Sequence, residues 1–272
     1  MKPVDLAILA AVPDEVAPLC ESLASSASLD IAGNTFTLHD HRDISLLIGT
    51  TGIGKVNAAA FTAAILTRFG PIEVWNIGCA GAYAEGGLRI GDVVITREHI
   101  CGDEGIMRQG GRTSAGHIGI PLLIRDGRPF FDRFPVEAFK PSRVAETPVD
   151  PGRYVADPSS PAREPAPFQH GPPDAFSVEY GPSLTVGMVS GDPETASERF
   201  RSCGAMAENM EGSAIAQVCL LFRAPFLECR GISNIAGVRD KAQWNFSQAI
   251  THCHAVVRHL LESFSGGDPD PV

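Results

Sequence analysis

The chain of 272 residues lacks the features that mark several large classes of protein. It has 22 Lys and Arg against 32 Asp and Glu and no basic run, which argues against a nucleic-acid or anionic-membrane partner. Its seven cysteines include no C-x-x-C pair, so we expect free thiols in a reducing compartment rather than a disulfide framework or a zinc site. The apolar run LAILAAV (6–12) is shorter than a membrane span, and we interpret it as a buried strand of a cytoplasmic protein rather than a signal peptide.

Apolar stretches of strand length alternate with helical patterns along the chain. The predicted strands cover residues 4–11, 36–39, 44–48, 73–79, 92–96, 184–190 and 226–231. The predicted helices cover residues 14–23, 56–69, 194–202, 208–223 and 246–263. Because continuous apolar strands separated by helices bury both faces of a sheet, the pattern predicts an α/β fold with helices on both sides.

The middle of the chain breaks this alternation. Nine prolines lie from Pro141 to Pro173, around the segment PSSPAREPAP, and no periodicity runs through them. Since the strand and helix patterns resume on the far side, we interpret residues 141–175 as an insertion in one domain that spans 1–264. The last residues, 265–272, read SGGDPDPV and are expected to form a disordered tail.

The stretch GTTGIGKVN (49–57) comes within one residue of a phosphate-binding loop. Val56 stands where such a loop has Ser or Thr, and a valine side chain cannot ligate Mg²⁺. No predicted strand ends in the acidic residue that would complete a triphosphate site. A glycine turn that lets a ligand approach the backbone, or a purely structural turn, is therefore favoured over a variant P-loop.

Several predicted strands end in small and polar residues. The five segments are 10–16, 51–55, 76–82, 189–195 and 230–234. In open α/β sheets the carboxyl ends of the strands form the ligand crevice, so these segments predict a binding site at one edge of the sheet.

Some titratable side chains also stand out, and each has a plain structural interpretation. Glu15 lies in the first turn after the first strand and Glu211 lies at a helix start, where the helix dipole and solvent also favour a carboxylate. Cys79 has no Cys–His pattern near it, so we expect a small buried residue rather than a nucleophile. His252 and His254 lie two apart on a helix and point to different faces, which argues against a metal site.

The order of the motifs resembles the purine nucleoside phosphorylase and nucleosidase superfamily. The motifs are E-V after the first strand, GIGKV-N-A, N-x-G-x-A-G, IGDVV, VSGD, MEG-x-A-x-A and R-x-ISN. They run from residue 4 to about residue 262 apart from the insertion, and the set is most similar to the methylthioadenosine/S-adenosylhomocysteine nucleosidase branch.

Within that branch, three details most resemble the futalosine hydrolases of the menaquinone pathway. They are ENMEG (208–212), ISNIAGVRDKAQW (232–244) and DEG…IGIPL (103–122). The resemblance implies a single-domain, three-layer α/β/α fold with a central mixed, twisted sheet. It also implies a homodimer or higher homo-oligomer that acts on a small nucleoside and water without a cofactor or metal.

The resemblance further implies roles at single positions. Glu15 stands where the family has the carboxylate that activates water, and Asn234 stands where adenine nucleosidases have an Asp that protonates N7. Met210 and Glu211 match the pair that contacts ribose, with Glu211 holding its 2′ and 3′ hydroxyls. The other implied substrate-binding residues are Ile53 on the 5′ side, Cys79, Ala80, Gly81, Arg230 and Ser233. Trp244 either covers the base or the 5′ group or packs in the core.

The chemistry of N-glycosidic cleavage sharpens these roles. The sugar becomes cationic in the transition state, so a carboxylate at Glu211 would stabilise it while Glu15 takes a proton from water. An amide at position 234 can donate to a 6-oxo oxygen and accept from a protonated N7, which suits hypoxanthine or guanine and mismatches adenine. We therefore predict a nucleosidase that releases hypoxanthine, with futalosine as its leading substrate.

Alternatives remain open from the sequence alone. They are a methylthioadenosine/S-adenosylhomocysteine nucleosidase, a phosphate-dependent purine nucleoside phosphorylase, and a non-enzymatic nucleotide-binding protein with a variant P-loop. Glu15 beside the nucleophile would repel phosphate, which favours water over phosphorolysis. Futalosine carries a benzoate on its 5′ arm, for which Arg108, Arg112 and Arg239 are candidate cations.

Overall fold

The computed structural model describes residues 4–70, 72–109, 111–144, 147, 149 and 175–264. Most of the insertion predicted at 141–175 and all of the tail predicted at 265–272 lie outside the described residues. No helix in the described part of the chain is long and apolar enough to cross a membrane.

Strands and helices alternate through the described residues. The strands are β1 Leu6–Ala10, β2 Ser25–Ile31, β3 Asn34–His41, β4 Ile44–Thr50, β5 Glu73–Ala82, β6 Val93–Cys101, β7 Gly105–Arg108, β8 Gly111–Ser114, β9 Leu123–Arg125, β10 Arg128–Phe130, β11 Arg133–Pro135, β12 Val178–Thr185, β13 Ala207–Asn209 and β14 Phe226–Ile235. The α-helices are α1 Ala17–Ser22, α2 Lys55–Phe69, α3 Pro193–Cys203, α4 Gly212–Phe222 and α5 Phe246–Ser263.

One mixed sheet of ten strands organises the molecule, in the order β11-β6-β12-β13-β5-β1-β4-β3-β2, with β14 pairing with both β5 and β6. The neighbours β4, β1, β5 and β14 are parallel, whereas β13 and β3 run antiparallel to β5 and β4. Because β14 links β6 back to β5, the five strands β5, β13, β12, β6 and β14 close into a ring. The single domain and its mixed central sheet confirm the predicted fold class.

Two hydrophobic clusters cover the two faces of the sheet. Successive residues of β1 point to opposite sides: Ala7 and Leu9 join the cluster of α2 and α4, and Leu6 and Ile8 join the cluster of α1 and α5. This alternation follows from the period of two in a strand, and both faces are apolar because both carry helices. The result is the three-layer α/β/α arrangement that the resemblance implied.

Three predicted elements differ from the structure for local reasons. The helix predicted at 14–23 is a 3-10 turn, Pro13–Glu15, followed by α1, which begins with Pro18 in its first turn. The helix predicted at 208–223 begins only at Gly212, because residues 207–209 form β13. The strand predicted at 184–190 ends at Thr185, since the N–H groups of Gly187 and Ser190 bond to carboxylates instead of a neighbouring strand.

Candidate active site

Four of the five predicted site segments meet where parallel strands end. Glu15 lies in the 3-10 turn after β1, Gly54 follows β4, Cys79 lies in β5 and Arg230 lies in β14. Glu211 reaches the same place from the residue before α4. Because these parallel strands end at one edge of the sheet, side chains far apart in sequence share a small buried volume.

The carboxylate of Glu15 is buried and held by backbone amides. Its Oε2 accepts hydrogen bonds from Ala11 N at 3.0 Å and Val12 N at 3.2 Å, and its Oε1 accepts one from Cys79 N at 2.9 Å. Burial raises the pKa of Glu15 above its ordinary value, although Arg230 and these hydrogen bonds act in the opposite direction. A carboxylate has about four acceptor positions, so the three amides leave one position on Oε1 for a water molecule.

Glu211 joins the glycine turn to the helix α4. Its Oε1 accepts the Gly54 N–H at 3.0 Å, and its Oε2 lies 3.4 Å from Arg230 Nη2. The amide oxygen of Asn209 accepts from Glu211 N at 3.1 Å and Gly212 N at 2.8 Å. Asn209 therefore caps the N-terminus of α4 and fixes the backbone from which the Glu211 carboxylate projects.

Arg230 is fully buried between carboxylates. Its Nε donates to Glu228 Oε1 at 2.8 Å, and its Nη1 lies 3.4 Å from the Cys79 carbonyl oxygen. Gly78, in a positive-φ conformation, lies against both the Glu15 carboxylate and the Arg230 guanidinium. A Cβ at this position would clash with Glu15 Oε1 and would lie 3.0 Å from Arg230 Nη1. The backbone of β5 must therefore pass this point without a side chain, so that the guanidinium and Glu15 can lie close together.

The charges of this cluster favour a cation. Burial lowers the pKa of Arg230, but the neighbouring Glu228, Glu211 and Glu15 outweigh burial and raise that pKa above its ordinary value. One guanidinium thus faces three carboxyl groups in a buried volume, an excess of acidic groups over the single cation. Such an excess stabilises a positive charge that forms beside it, so the pocket can support a reaction with a cationic transition state.

Ser233 and Asn234 lie at the far end of β14, where a bulge shifts its register with β5. Ser233 Oγ lies 2.8 Å from Asn234 Oδ1, and Asn234 Nδ2 donates to the Ile235 carbonyl oxygen at 3.1 Å. Ala80 accepts from Ser233 Oγ at 3.3 Å, and a Cβ at Gly81 would lie 3.1 Å from Asn234 Nδ2. The structure thus brings these four predicted residues together in a second group.

The glycine turn 49–57 has no vacant phosphate cradle. The Gly54 N–H is committed to Glu211, and Lys55 Nζ lies 2.7 Å from Glu104 Oε1 and 3.2 Å from Asp103 Oδ2. A triphosphate would meet those three carboxylates, so the geometry argues against the P-loop alternative. Ile53, the exposed tip of the turn, has 56% of its surface accessible.

The loop after β14 carries Trp244 and holds it close to Ser233 and Asn234. Its indole Nε1 donates to the Val238 carbonyl oxygen at 2.9 Å, and the next residue, Asn245, donates its N–H to the Ser233 carbonyl oxygen at 2.8 Å. The Arg239 guanidinium lies 4.9 Å from the indole centroid. Trp244 is half-buried, which fits a pocket wall better than the core position that the sequence left open.

Of the remaining predicted residues, Met210 is half-buried next to Glu211. Cys79 is also half-buried; burial and the neighbouring Glu15 raise the pKa of its thiol, so it is a poor nucleophile. His252 Nδ1 meets the Gly91 carbonyl oxygen at 2.6 Å and His254 Nε2 meets the Glu15 carbonyl oxygen at 2.7 Å. In the described parts of the chain, no three His, Cys, Asp or Glu side chains group as metal ligands.

Four polar residues buried beside the site were not predicted: Glu228, Asn209, Asn76 and His99. Glu228 and Arg230 are two charged residues at alternate positions of FLECRGI, a strand that is otherwise apolar. A strand places such residues on the same face, so their spacing was a signal for a buried ion pair.

Comparison with known proteins places this geometry in a family. A futalosine hydrolase of Thermus thermophilus is 35% identical over 222 residues, which are 81% of this chain and 83% of that protein. A 5′-methylthioadenosine/S-adenosylhomocysteine nucleosidase of Bacillus pumilus is 29% identical over 94% of this chain and 98% of its own length. The solved structure of such a nucleosidase from Colwellia psychrerythraea, in complex with adenine, superposes with a TM-score of 0.71 at 25% identity and covers 96% of both chains. The model of the phosphorylase superfamily matches residues 5–262, and the chain belongs to that superfamily.

Proposed function

We propose that the protein, a nucleosidase like the relatives that it matches, hydrolyses a 6-oxopurine nucleoside and releases hypoxanthine, with futalosine as its leading substrate. The orientation of the Asn234 amide carries this proposal. Its Nδ2 keeps one free N–H for a 6-oxo oxygen, and its Oδ1 keeps one lone pair for an N7–H. A flip to suit adenine would turn Oδ1 against the Ile235 carbonyl oxygen, acceptor to acceptor. Activity on futalosine would assign the protein to menaquinone biosynthesis.

In the proposed reaction, water bound at the free position of Glu15 Oε1 attacks C1′ as the bond to the base breaks. Glu15 takes the proton from that water, and Glu211 accepts hydrogen bonds from the ribose hydroxyls beside Met210. An amide is not an acid, so the proton that Glu15 takes from the attacking water passes through solvent to N7, and Asn234 Oδ1 accepts the resulting N–H. Ile53, Cys79, Ala80, Gly81, Arg230, Ser233 and Trp244 form the walls of the pocket in this proposal.

A second candidate is cleavage of methylthioadenosine or S-adenosylhomocysteine. It is favoured by the relatives of that name, which match 94% of the chain, whereas the futalosine hydrolase matches 81%. Phosphorolysis is disfavoured because the buried Glu15 carboxylate would repel a phosphate at the place of the nucleophile.

One substrate panel separates these candidates. The protein is incubated with futalosine, methylthioadenosine and inosine, with and without phosphate, and the free base and sugar product are identified by mass spectrometry. We expect hypoxanthine and a free, non-phosphorylated sugar from futalosine. Release of adenine only, or strict dependence on phosphate, would overturn the proposal.

Arg239 is the candidate that best suits the carboxylate on the 5′ arm of futalosine. Arg112 donates to the Glu104 carbonyl oxygen and pairs with Asp132, so it is already committed. Arg239 is exposed on the Trp244 ring, and its neighbour Asp240 accepts from Ala242 N and Gln243 Nε2. The Arg239 charge is thus available beside the pocket.

We expect Arg239→Gln to raise KM for futalosine about 10-fold or more, the usual effect of losing a charge-assisted hydrogen bond. Hydrolysis of inosine, which has no charged 5′ arm, should change little in the same variant. Arg108→Gln, at the exposed end of β7, is the matched control. Equal losses on both nucleosides would assign Arg239 a general role instead.

A homodimer or higher homo-oligomer and a cytoplasmic location complete the proposal. Analytical ultracentrifugation tests the assembly.

A further inference from the structure

Glu228 is a carboxylate with no exposed surface, and it receives four hydrogen bonds from side chains. Its Oε1 accepts from Arg230 Nε at 2.8 Å and from the amides of Asn76 and Asn209, each at 3.2 Å. Its Oε2 accepts from His99 Nδ1 at 2.9 Å. Burial opposes the charge of Glu228, but Arg230 and the His99 hydrogen bond outweigh it and lower the pKa of Glu228 to about 2.

The backbone around Glu228 is built to admit it. Asn76 lies directly across from it in the β5–β14 register. A Cβ at Gly212 would clash with both oxygens of Glu228, so the first residue of α4 must be glycine while this carboxylate is in place. The space that the Glu228 carboxylate occupies therefore explains why ENMEG ends in glycine, at Gly212.

His99 supports Glu228 from the neighbouring strand β6. Its Nδ1 lies 2.9 Å from Glu228 Oε2, whereas its Nε2 is buried without a hydrogen-bond partner among the described residues. The imidazole thus turns one ring nitrogen to the Glu228 carboxylate and holds it from the side of β6.

Two of the donors lead on to the reactive carboxylates. Arg230, held at Nε, turns Nη2 toward Glu211 and Nη1 toward the position beside Gly78 and Glu15. Asn209, held at Nδ2, uses its oxygen to cap the backbone of Glu211. Arg230 and Asn209 therefore connect Glu228 to Glu15 and Glu211, the two carboxylates of the site.

We propose that Glu228 is a positioning residue, which fixes Arg230 and Asn209 and through them orients Glu15 and Glu211 for the reaction. The proposal rests on the proposed N-glycosidic hydrolysis, but not on which base leaves. It assigns Glu228 two tasks: it holds the guanidinium in place, and it offsets part of its charge so that Glu15 keeps enough basicity to accept a proton.

Replacement of the charge should separate this role from a structural one. We expect Glu228→Gln to lower kcat about 10–100-fold, with a smaller change in KM, because small displacements of reacting groups have effects of this size. It should also move the acid limb of kcat/KM to lower pH, because Arg230 then acts on Glu15 with one fewer opposing negative charge.

The ionisable groups that face Glu15 are Arg230 of β14, Glu211 before α4, Cys79 of β5, and Cys253 and His254 of α5. Those that face Glu228 are Arg230 and Cys229 of β14 and His99 of β6.

Glu73→Gln is the matched control. Glu73 is also a buried strand carboxylate, and it accepts from Trp75 Nε1, Ser142 Oγ and Arg143 N. It lies at the opposite end of β5 from Cys79, so its loss should lower the melting temperature and leave kcat and the acid limb of the folded enzyme unchanged.

Glu228→Asp keeps the experiment decisive if Glu228→Gln does not fold. The charge stays but the carboxylate withdraws from Arg230, so kcat should fall while the acid limb stays in place. If either folded variant keeps kcat within about twofold of the wild type, the proposal is wrong.

A readout without turnover separates this inference from the proposed function. ¹³C NMR titration of the Glu15 carboxyl, in the wild type and in a folded Glu228 variant, needs no substrate. A lower pKa of Glu15 in Glu228→Gln, with little change in Glu228→Asp, supports the coupling even if no nucleoside on the panel is cleaved. Unchanged Glu15 titration in Glu228→Gln overturns it.

Discussion

Glu15→Gln should reduce kcat about 10²–10⁴-fold, the range that a positioned general base contributes. The substitution removes the group that takes the proton from water, and it leaves Glu211 and Asn234 to bind the nucleoside. Affinity for a non-hydrolysable nucleoside should therefore change only modestly, which calorimetric titration can measure beside steady-state kinetics.

The exposed Glu21 of α1 provides the control, and Glu21→Gln should leave kcat unchanged. Retention of more than a tenth of wild-type kcat by Glu15→Gln would remove Glu15 from the mechanism. The pH profile is an independent check. Glu15 must be ionised to act, and burial raises its pKa above 4.5, so kcat/KM should begin to fall on the acid side at a higher pH than an ordinary glutamate would give.

Asn234→Asp should change the choice of base. The ratio of kcat/KM for adenine nucleosides to that for hypoxanthine nucleosides should rise at least about a hundredfold, because a buried mismatch of donors and acceptors discriminates strongly. An aspartic acid can donate a proton to N7 and accept from the 6-amino group, whereas its ionised form meets a 6-oxo oxygen with repulsion. Competition between inosine and adenosine in one reaction measures the ratio directly.

Asn245→Asp is the matched substitution on the same loop. Asn245 caps α5 through its side-chain oxygen, which accepts from Gln248 N, and an aspartate does this equally well. Its N–H bond to the Ser233 carbonyl oxygen is retained, so the base preference should stay that of the wild type. If hypoxanthine release by Asn234→Asp also stays unaltered, Asn234 does not read the base.

The sequence predicts those parts of the site that depend on residues close together along the chain. Small and polar residues at strand ends indicated the crevice, and the structure brings Glu15, Glu211 and Arg230 together there. Glycine spacing alone suggested a phosphate loop at 49–57 and could not exclude it. The partners that decide the matter are Glu211 for Gly54 and the pair Asp103 and Glu104 for Lys55, and they lie 48 to 157 residues away.

Other features escaped prediction because they depend on contacts between distant segments. The strand β2 reads SSASLDI and is largely exposed, so neither its composition nor its burial gave an apolar run. Residues 207–209 have no strand signal of their own and form β13 because β12 and β5 flank them. The spacing of Glu228 and Arg230 gave a local signal for an ion pair, but the other partners of Glu228 come from distant segments: Asn76, His99 and Asn209.

The closed ring of β5, β13, β12, β6 and β14 has a consequence for the folding kinetics. Val74 pairs with Phe226 across the β5–β14 contact, so the ring closes only through pairings of very high sequence separation. Such pairings form slowly because the chain loses the entropy of a long loop before the contact stabilises it. Chains of this size commonly fold through intermediates. Refolding should therefore regain far-UV circular dichroism before nucleosidase activity, because Arg230 does not lie opposite Glu15 until β14 docks.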